Sequence, residues 1–187
     1  MQWRNNKERY GLVAVVLHWL VAITVIGLFI LGWWMTSLTL YDRWYVTAPY
    51  IHKSIGLLLF VVIAVRLAWR LLNPRPEPLP THSRFERAAA RLMHVALYLL
   101  LFAVMIAGYL MTTADGRSIT SFGLFSIPAT ITSIPNQEDF AGEIHEVLAI
   151  ILMALTALHA AAALKHHVID RDDTLRRMWR RKNSPNT

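Results

Sequence analysis

Two histidines fourteen residues apart, His145 and His159, lie within one long apolar segment, and this spacing limits what the chain can become. Fourteen residues is close to four helical turns, so both imidazoles leave the same side of a helix about 21 Å apart along its axis. That separation places one imidazole toward each face of a bilayer core about 30 Å thick. Two other apolar segments carry His18 and His52 at matching depths. Four imidazoles at two depths imply two stacked bis-histidine haems and an electron path across a membrane.

Composition agrees with a membrane setting. Of 187 residues 55% are hydrophobic, and the mean hydropathy of +0.38 is more apolar than a soluble domain of this size requires. There are no cysteines, which excludes disulfides, iron–sulfur clusters, thiolate-ligated haem and covalent haem attachment. Any haem iron must therefore be held non-covalently by nitrogen or thioether. Four segments, about 11–35, 52–72, 88–112 and 143–167, are long enough to span. The first is too long for a signal-peptide core and is followed by Gly32-Trp33-Trp34-Met35 rather than a small-residue cleavage site. The expected fold is all-α: one integral membrane domain over 1–187, an antiparallel four-helix bundle with an up-down-up-down path.

Charge orients the bundle. Of nineteen Lys and Arg, all but Arg43, Lys53 and Arg117 fall on one side, in the N-terminal segment, the second-to-third connection and the C-terminal end. The positive-inside rule assigns that inner side, with both termini, to the cytoplasm of a bacterial inner membrane. In a Gram-negative host the other face looks into the periplasm. Trp33, Trp34, Trp44, Tyr45 and Tyr50 fit an aromatic belt at the outer face. A net charge of +7 gathered at membrane borders speaks for lipid contact and against nucleic-acid binding. Alternating prolines from Pro74 to Pro80 bar a helix in the inner connection, and breaks around Pro128 and Pro135 suggest a long loop over the outer face. The tail after Pro185 is expected to be disordered.

Depth pairs the histidines. His18 and His159 fall near the inner ends of their helices, whereas His52 opens the second helix at the outer face and His145 lies two or three residues into the fourth. The pairs His18/His159 and His52/His145 are thus the expected iron ligands. Gly56 and the alanines from Ala160 to Ala163 let a flat macrocycle approach, although small residues equally serve helix packing. Arg66 is fourteen residues after His52 and reaches the inner level, where it either pairs with a haem propionate or snorkels to the interface. His94 competes with His18 as inner ligand; His18 is preferred, leaving His94 for a propionate, a quinone or a core contact. His166 and His167 read as interfacial, placed to donate to a quinone carbonyl and carry its proton. His82 reads as a solvated loop residue. There is no HExxH, and His166-His167 near Asp170, Asp172 and Asp173 is a weak divalent-metal pattern that interfacial charge explains better.

These residues also form motifs: Leu17-His18-Trp19-Leu20, Ile51-His52-Lys53-Ser54-Ile55-Gly56, and Val65-Arg66-Leu67 through Arg70-Leu71-Leu72-Asn73-Pro74. Further along are His145-Glu146, Leu158-His159-Ala160-Ala161-Ala162-Ala163-Leu164-Lys165-His166-His167 and Asp173-Thr174-Leu175-Arg176-Arg177-Met178. Over almost its whole length the sequence resembles the bacterial cytochrome b-561 family, in the branch of small di-haem membrane proteins that includes superoxide oxidase. The resemblance implies two b-type haems, the inner on His18/His159 and the outer on His52/His145, and electron exchange with ubiquinone. In the superoxide oxidase branch, superoxide at the outer face yields its electron and quinone is reduced. The outer segments are, however, acidic: Asp42, Asp115, Glu138, Asp139, Glu143 and Glu146 stand against three basic residues. An anionic substrate then depends on local placement: Lys53 adjoins His52, and Arg43 and Arg117 can fold over the haem edge.

Three readings compete. The first is a superoxide:ubiquinone oxidoreductase. The second is a cytochrome b subunit that links another redox protein to the quinone pool, as hydrogenase-linked cytochromes b do; a long soluble docking segment would favour it, and the sequence as given shows none. The third, a haem-free structural membrane protein, is at odds with the depth-matched histidines.

Overall fold

The structure, a computed structural model, describes residues 2–179. Four long helices dominate it: α1 (Leu12–Met35), α2 (Thr47–Leu72), α3 (Arg84–Thr112) and α4 (Gln137–Val168). A two-stranded hairpin, β1 (Ile119–Ser121) and β2 (Phe125–Ile127), precedes α4, and a short α5 (Arg176–Trp179) follows it. The four long helices are each long and apolar enough to cross a membrane. Hydrocarbon offers no partner to a backbone N–H or C=O, so an apolar stretch of this length satisfies those groups internally as a helix. Ile23, Ile30, Leu99 and Leu158 are exposed around the bundle, an arrangement that lipid covers and water would penalise. The molecule is an all-α integral membrane helical bundle.

Three helices start earlier than the hydropathy limits suggest. α2 begins at Thr47 and takes Pro49 into its first turn, where a missing N–H costs nothing. His52 therefore stands in the second turn rather than opening the helix. α3 begins with a capping box: Ser83 Oγ accepts from Glu86 N at 3.2 Å, and Glu86 Oε2 accepts from Ser83 N at 2.9 Å. α4 begins at Gln137, whose side-chain amide donates to Leu110 O and Ile131 O, each at 2.9 Å. His145 is consequently more than two turns into α4, not at its start.

The helices pack as two hairpins. α1 lies against α2 and α3 against α4, while direct contact between the two pairs is sparse. Val21, Leu59 and Ile63 form a small core with Tyr98, Phe102 and Met105 midway along the bundle. At the outer face the β-hairpin seats on α2, with Ser121 Oγ donating to Ser54 O at 3.1 Å and Phe122 edge-on to Tyr50. Sequence reading expected only an irregular loop here. The signal lay in Ser121-Phe122-Gly123-Leu124, where Phe122 and Gly123 both adopt positive φ and Leu124 N donates to Ser121 O.

At the inner face Asn5 is buried and joins two segments. It donates to Pro74 O and accepts from Gly11 N, while Glu77 N donates to Lys7 O. A Cβ at Gly11 would stand 2.3 Å from Trp3 O, so only glycine permits this approach. Residues 180–187, with Arg180, Arg181, Lys182 and the tail expected to be disordered, lie outside the described residues.

The capping box gives a direct test of how α3 starts. Ser83→Ala should lower stability by about 1 kcal/mol, and Ser83→Asp should retain most of it. The thermal midpoints of the two variants in detergent, against the parent, measure the difference; equal midpoints for all three would remove the box from the account.

Candidate functional site

Packing into two hairpins brings the histidines of α1 and α2 toward those of α4. At the outer level the rings of His52 and His145 face each other with centroids 6.1 Å apart and planes at 76°. At the inner level His18 and His159 stand 6.3 Å apart at 80°. A metal–imidazole bond is about 2.0–2.1 Å and a ring nitrogen lies about 1.1 Å from its centroid, so two imidazoles in line across one metal have centroids about 6.3 Å apart. Both pairs match that spacing, and their donor sets fit a bis-histidine iron.

Hydrogen bonding distinguishes the rings. His145 Nδ1 lies 2.8 Å from Val104 O and so donates its proton there, which leaves the Nε2 lone pair free for a metal. His52 Nδ1 is buried, with the Leu28 backbone beside the ring. The outer rings lie against bare backbone: a Cβ would come within 3.1 Å of the His52 ring at Gly32, and within 2.9 Å of His145 Nδ1 at Gly108. Neither Gly32 nor Gly108 was among the small residues expected beside a macrocycle, as Gly56 was. Glycine inside a helix costs about 1 kcal/mol against alanine, so each was a signal that some group approaches closely. Gly56 would meet no protein atom within 4 Å with an added Cβ.

Arg66 settles at the inner level, inside the bundle. Its Nη2 lies 3.0 Å from His18 Nδ1, and its Nη1 donates to Ala14 O at 3.3 Å. It is half-buried and does not snorkel out to the interface. Guanidinium has only donors, so His18 Nδ1 is the acceptor and a neutral His18 carries its proton on Nε2. Ligation through Nε2 requires the opposite tautomer, and hence a new partner for Arg66. His94 also faces His159, at 5.3 Å and 67°, closer than two ligands in line across one metal.

At the inner face one reading is corrected and the surroundings of His166 are defined. His82 is not a solvated loop residue: its Nε2 is 2.9 Å from Asp172 Oδ2 and its side chain is 17% exposed. His166 does not present a free ring at the interface. Its Nδ1 lies 2.7 Å from Asp170 Oδ2 and 3.1 Å from Asp172 Oδ2. Burial opposes ionisation of Asp172, but bonds from Thr174 and His82 outweigh it and bring its pKa down to about 2. Nearby, Trp19 Nε1 donates to Met178 O at 2.8 Å and holds α5 against α1.

The outer cations separate by pairing. Arg117 is bound to Asp115 at 2.6 Å, and Arg43 lies over the Trp44 ring at 5.2 Å. Lys53 is exposed and forms no ion pair among the described residues.

Known proteins place this geometry in a wider group. Residues 9–181 match the family model described as prokaryotic cytochrome b561. The chain is 50% identical over 184 residues to cytochrome b561 homolog 2 of Escherichia coli strain K12, covering 98% of both chains. It is 32% identical over 181 residues to cytochrome b561 homolog 1 of the same organism, covering 94% of this chain and 99% of the relative. To a Yersinia pestis protein named probable superoxide oxidase CybB it is 30% identical over 182 residues, covering 94% of this chain and 98% of the relative. With four apolar helices and facing histidine pairs already in place, a match over nearly the whole chain shows that it belongs to the prokaryotic cytochrome b561 family.

Proposed function

We propose that this chain is a di-haem b protein that oxidises superoxide at its outer face and reduces ubiquinone within the membrane. The family makes it a membrane electron-transfer protein; the observation that carries the finer reading is the two histidine pairs, 6.1 and 6.3 Å apart, at two levels of α4. Two superoxide anions lose one electron each and leave as dioxygen, while one quinone takes up two electrons and two protons to become quinol. The two haems, when bound, supply one-electron carriers between the faces.

The chain's own residues then have distinct tasks. His52 and His145 hold the outer haem, and the Val104 carbonyl orients the His145 ring. His18 and His159 hold the inner haem, with Arg66 turning from His18 Nδ1 to a propionate, to which its planar fork is suited. Lys53, next to His52 in sequence, attracts the anionic substrate. His94 faces the inner pair and is assigned to the quinone carbonyl in preference to His166, whose Nδ1 already faces Asp170 and Asp172. The basic bias supports an inner face in the cytoplasm and an outer face in the periplasm of a bacterial inner membrane. The probable superoxide oxidase among the relatives supports the choice of donor.

Haem stoichiometry tests the ligand assignment. His52→Ala or His145→Ala should leave one haem per chain and spare the inner one, His18→Ala or His159→Ala should do the reverse, and His94→Ala should keep two. Pyridine haemochrome counts on the purified variants measure this. Loss of a haem in His94→Ala with two retained in His18→Ala would reassign the inner ligand.

Orientation can be read because the chain has no native cysteine. Ser126→Cys should react with an impermeant maleimide added outside spheroplasts, and Glu8→Cys should react only after lysis. Labelling of both from outside would sink the four-span topology.

The substrate assignment predicts a kinetic contrast. Lys53→Glu should slow superoxide-driven haem reduction about fivefold at low salt, since a two-charge change acting across about 8 Å of water is worth about 1 kcal/mol. The effect should fade as the Debye length drops from about 10 Å at 0.1 M to about 3 Å at 1 M. Quinol-driven reduction of the same variant should be unchanged. Rapid mixing with each donor measures both rates. No superoxide-driven reduction of the unmodified protein would favour a cytochrome b subunit serving another redox protein.

A further inference from the structure

We propose that the inner face carries a second, non-haem metal site, in which His82 Nε2, His166 Nδ1 and a carboxylate oxygen of Asp172 bind a divalent ion of the zinc class. The three residues come from segments far apart in sequence: the proline-rich connection before α3, the last turn of α4 and the turn beyond it. Their ligating atoms all lie within 4.8 Å of one another. Asp172 Oδ2 is 2.9 Å from His82 Nε2 and 3.1 Å from His166 Nδ1. Donors around a tetrahedral ion with bonds of about 2.1 Å stand about 3.4 Å apart, so the two Asp172 distances need open by only a few tenths of an ångström, and the two imidazole nitrogens, within 4.8 Å of each other, would close toward the same separation.

Two features separate this cluster from ordinary surface ion pairs. It is sheltered, with side-chain exposures of 17% for His82, 15% for His166 and 6% for Asp172. In addition, His166 Nδ1 is buried with two carboxylate oxygens within 3.1 Å of it. Nδ1 of His166 and the carboxylates of Asp170 and Asp172 thus converge on one small volume, as ligands of a single ion do. Backbone bonds fix the arrangement, with Asp172 N donating to His166 O at 3.0 Å and Thr174 N to Asp172 Oδ1 at 2.8 Å.

The chemistry selects the ion. Two imidazoles and one carboxylate suit Zn²⁺ or its neighbours, whereas Ca²⁺ and Mg²⁺ take oxygen ligands in larger number. Asp170 is the available fourth ligand; its Oδ2 is now shared with Lys165 Nζ at 2.7 Å. Glu86 Oε1, 3.3 Å from the same ammonium, can hold Lys165 if Asp170 turns to the metal. Bound there, the ion would lock the proline-rich connection to the end of α4. The site shares no ligand with either haem pair, and the proposal stands apart from the choice of superoxide as donor.

Zinc binding is the test, on the full-length, haem-loaded protein in detergent with no polyhistidine tag. Titration of Zn²⁺ against a chromophoric chelator should show one equivalent bound by the parent. Affinity should fall more than about tenfold in His82→Gln and in Asp172→Asn, and hold in His167→Gln. Co²⁺ in place of Zn²⁺ should give the intense visible bands of a tetrahedral site in the parent and lose them in His82→Gln. Zn²⁺ should also raise the thermal midpoint of the parent but of neither ligand variant, with haem content confirming that each has folded. No stoichiometric binding by the parent, or binding and Co²⁺ bands unchanged in both His82→Gln and Asp172→Asn, would overturn the site and leave a histidine–carboxylate ion-pair cluster.

Discussion

Imidazoles half-buried in an apolar bundle govern the rest of this structure. A polar ring within a membrane must find a partner or a metal, and here two pairs of rings find each other across the boundary between helix hairpins. Direct packing between those hairpins is sparse, and the small core around Ile63 lies midway along the bundle. The hairpins therefore act as two jaws, each tightly built within itself, that meet over the histidines. Glycines 32 and 108 belong to the same design, because a side chain at either would push an outer ring from its place.

The two levels differ in how their rings are held. At the outer level the Val104 carbonyl sets the tautomer of His145 in advance, so one proposed ligand is pre-organised by backbone alone. At the inner level Arg66 donates to His18, and the ring must exchange that partner to use Nε2. This asymmetry gives the two histidine levels different polarity, and polarity and hydrogen bonding are the means by which a protein sets a haem potential. The outer surface shows a similar economy: acidic residues outnumber basic ones, Arg117 is neutralised by Asp115, and Lys53 keeps its charge exposed close to a proposed ligand.

At the inner face, loop and helix ends are tied by polar contacts rather than by apolar packing. Asn5 joins the N-terminal segment to Pro74, Trp19 holds the Met178 carbonyl, and His82 reaches Asp172. These contacts bring the ends of the chain over the level of His18 and His159. A metal at His82, His166 and Asp172 would make that closure firmer and sensitive to ion supply.

Much of this was legible in the residues themselves. Length and hydropathy determined four spans, since hydrocarbon forces long apolar stretches into helices, and the fourteen-residue interval set the two levels because helical rise is constant. Depth alone paired His18 with His159 and His52 with His145, the partners that stand about 6 Å apart. Helix starts were misjudged where a cap such as Ser83 or a first-turn proline extended a helix beyond its apolar run. Only the tertiary structure decided that Arg66 turns inward to His18, that Gly32 and Gly108 lie against the outer rings, and that His82 meets His166 and Asp172. Each of these depends on how separate segments are rotated and brought together, and periodicity along one segment carries no information about the side chain that will face it from another.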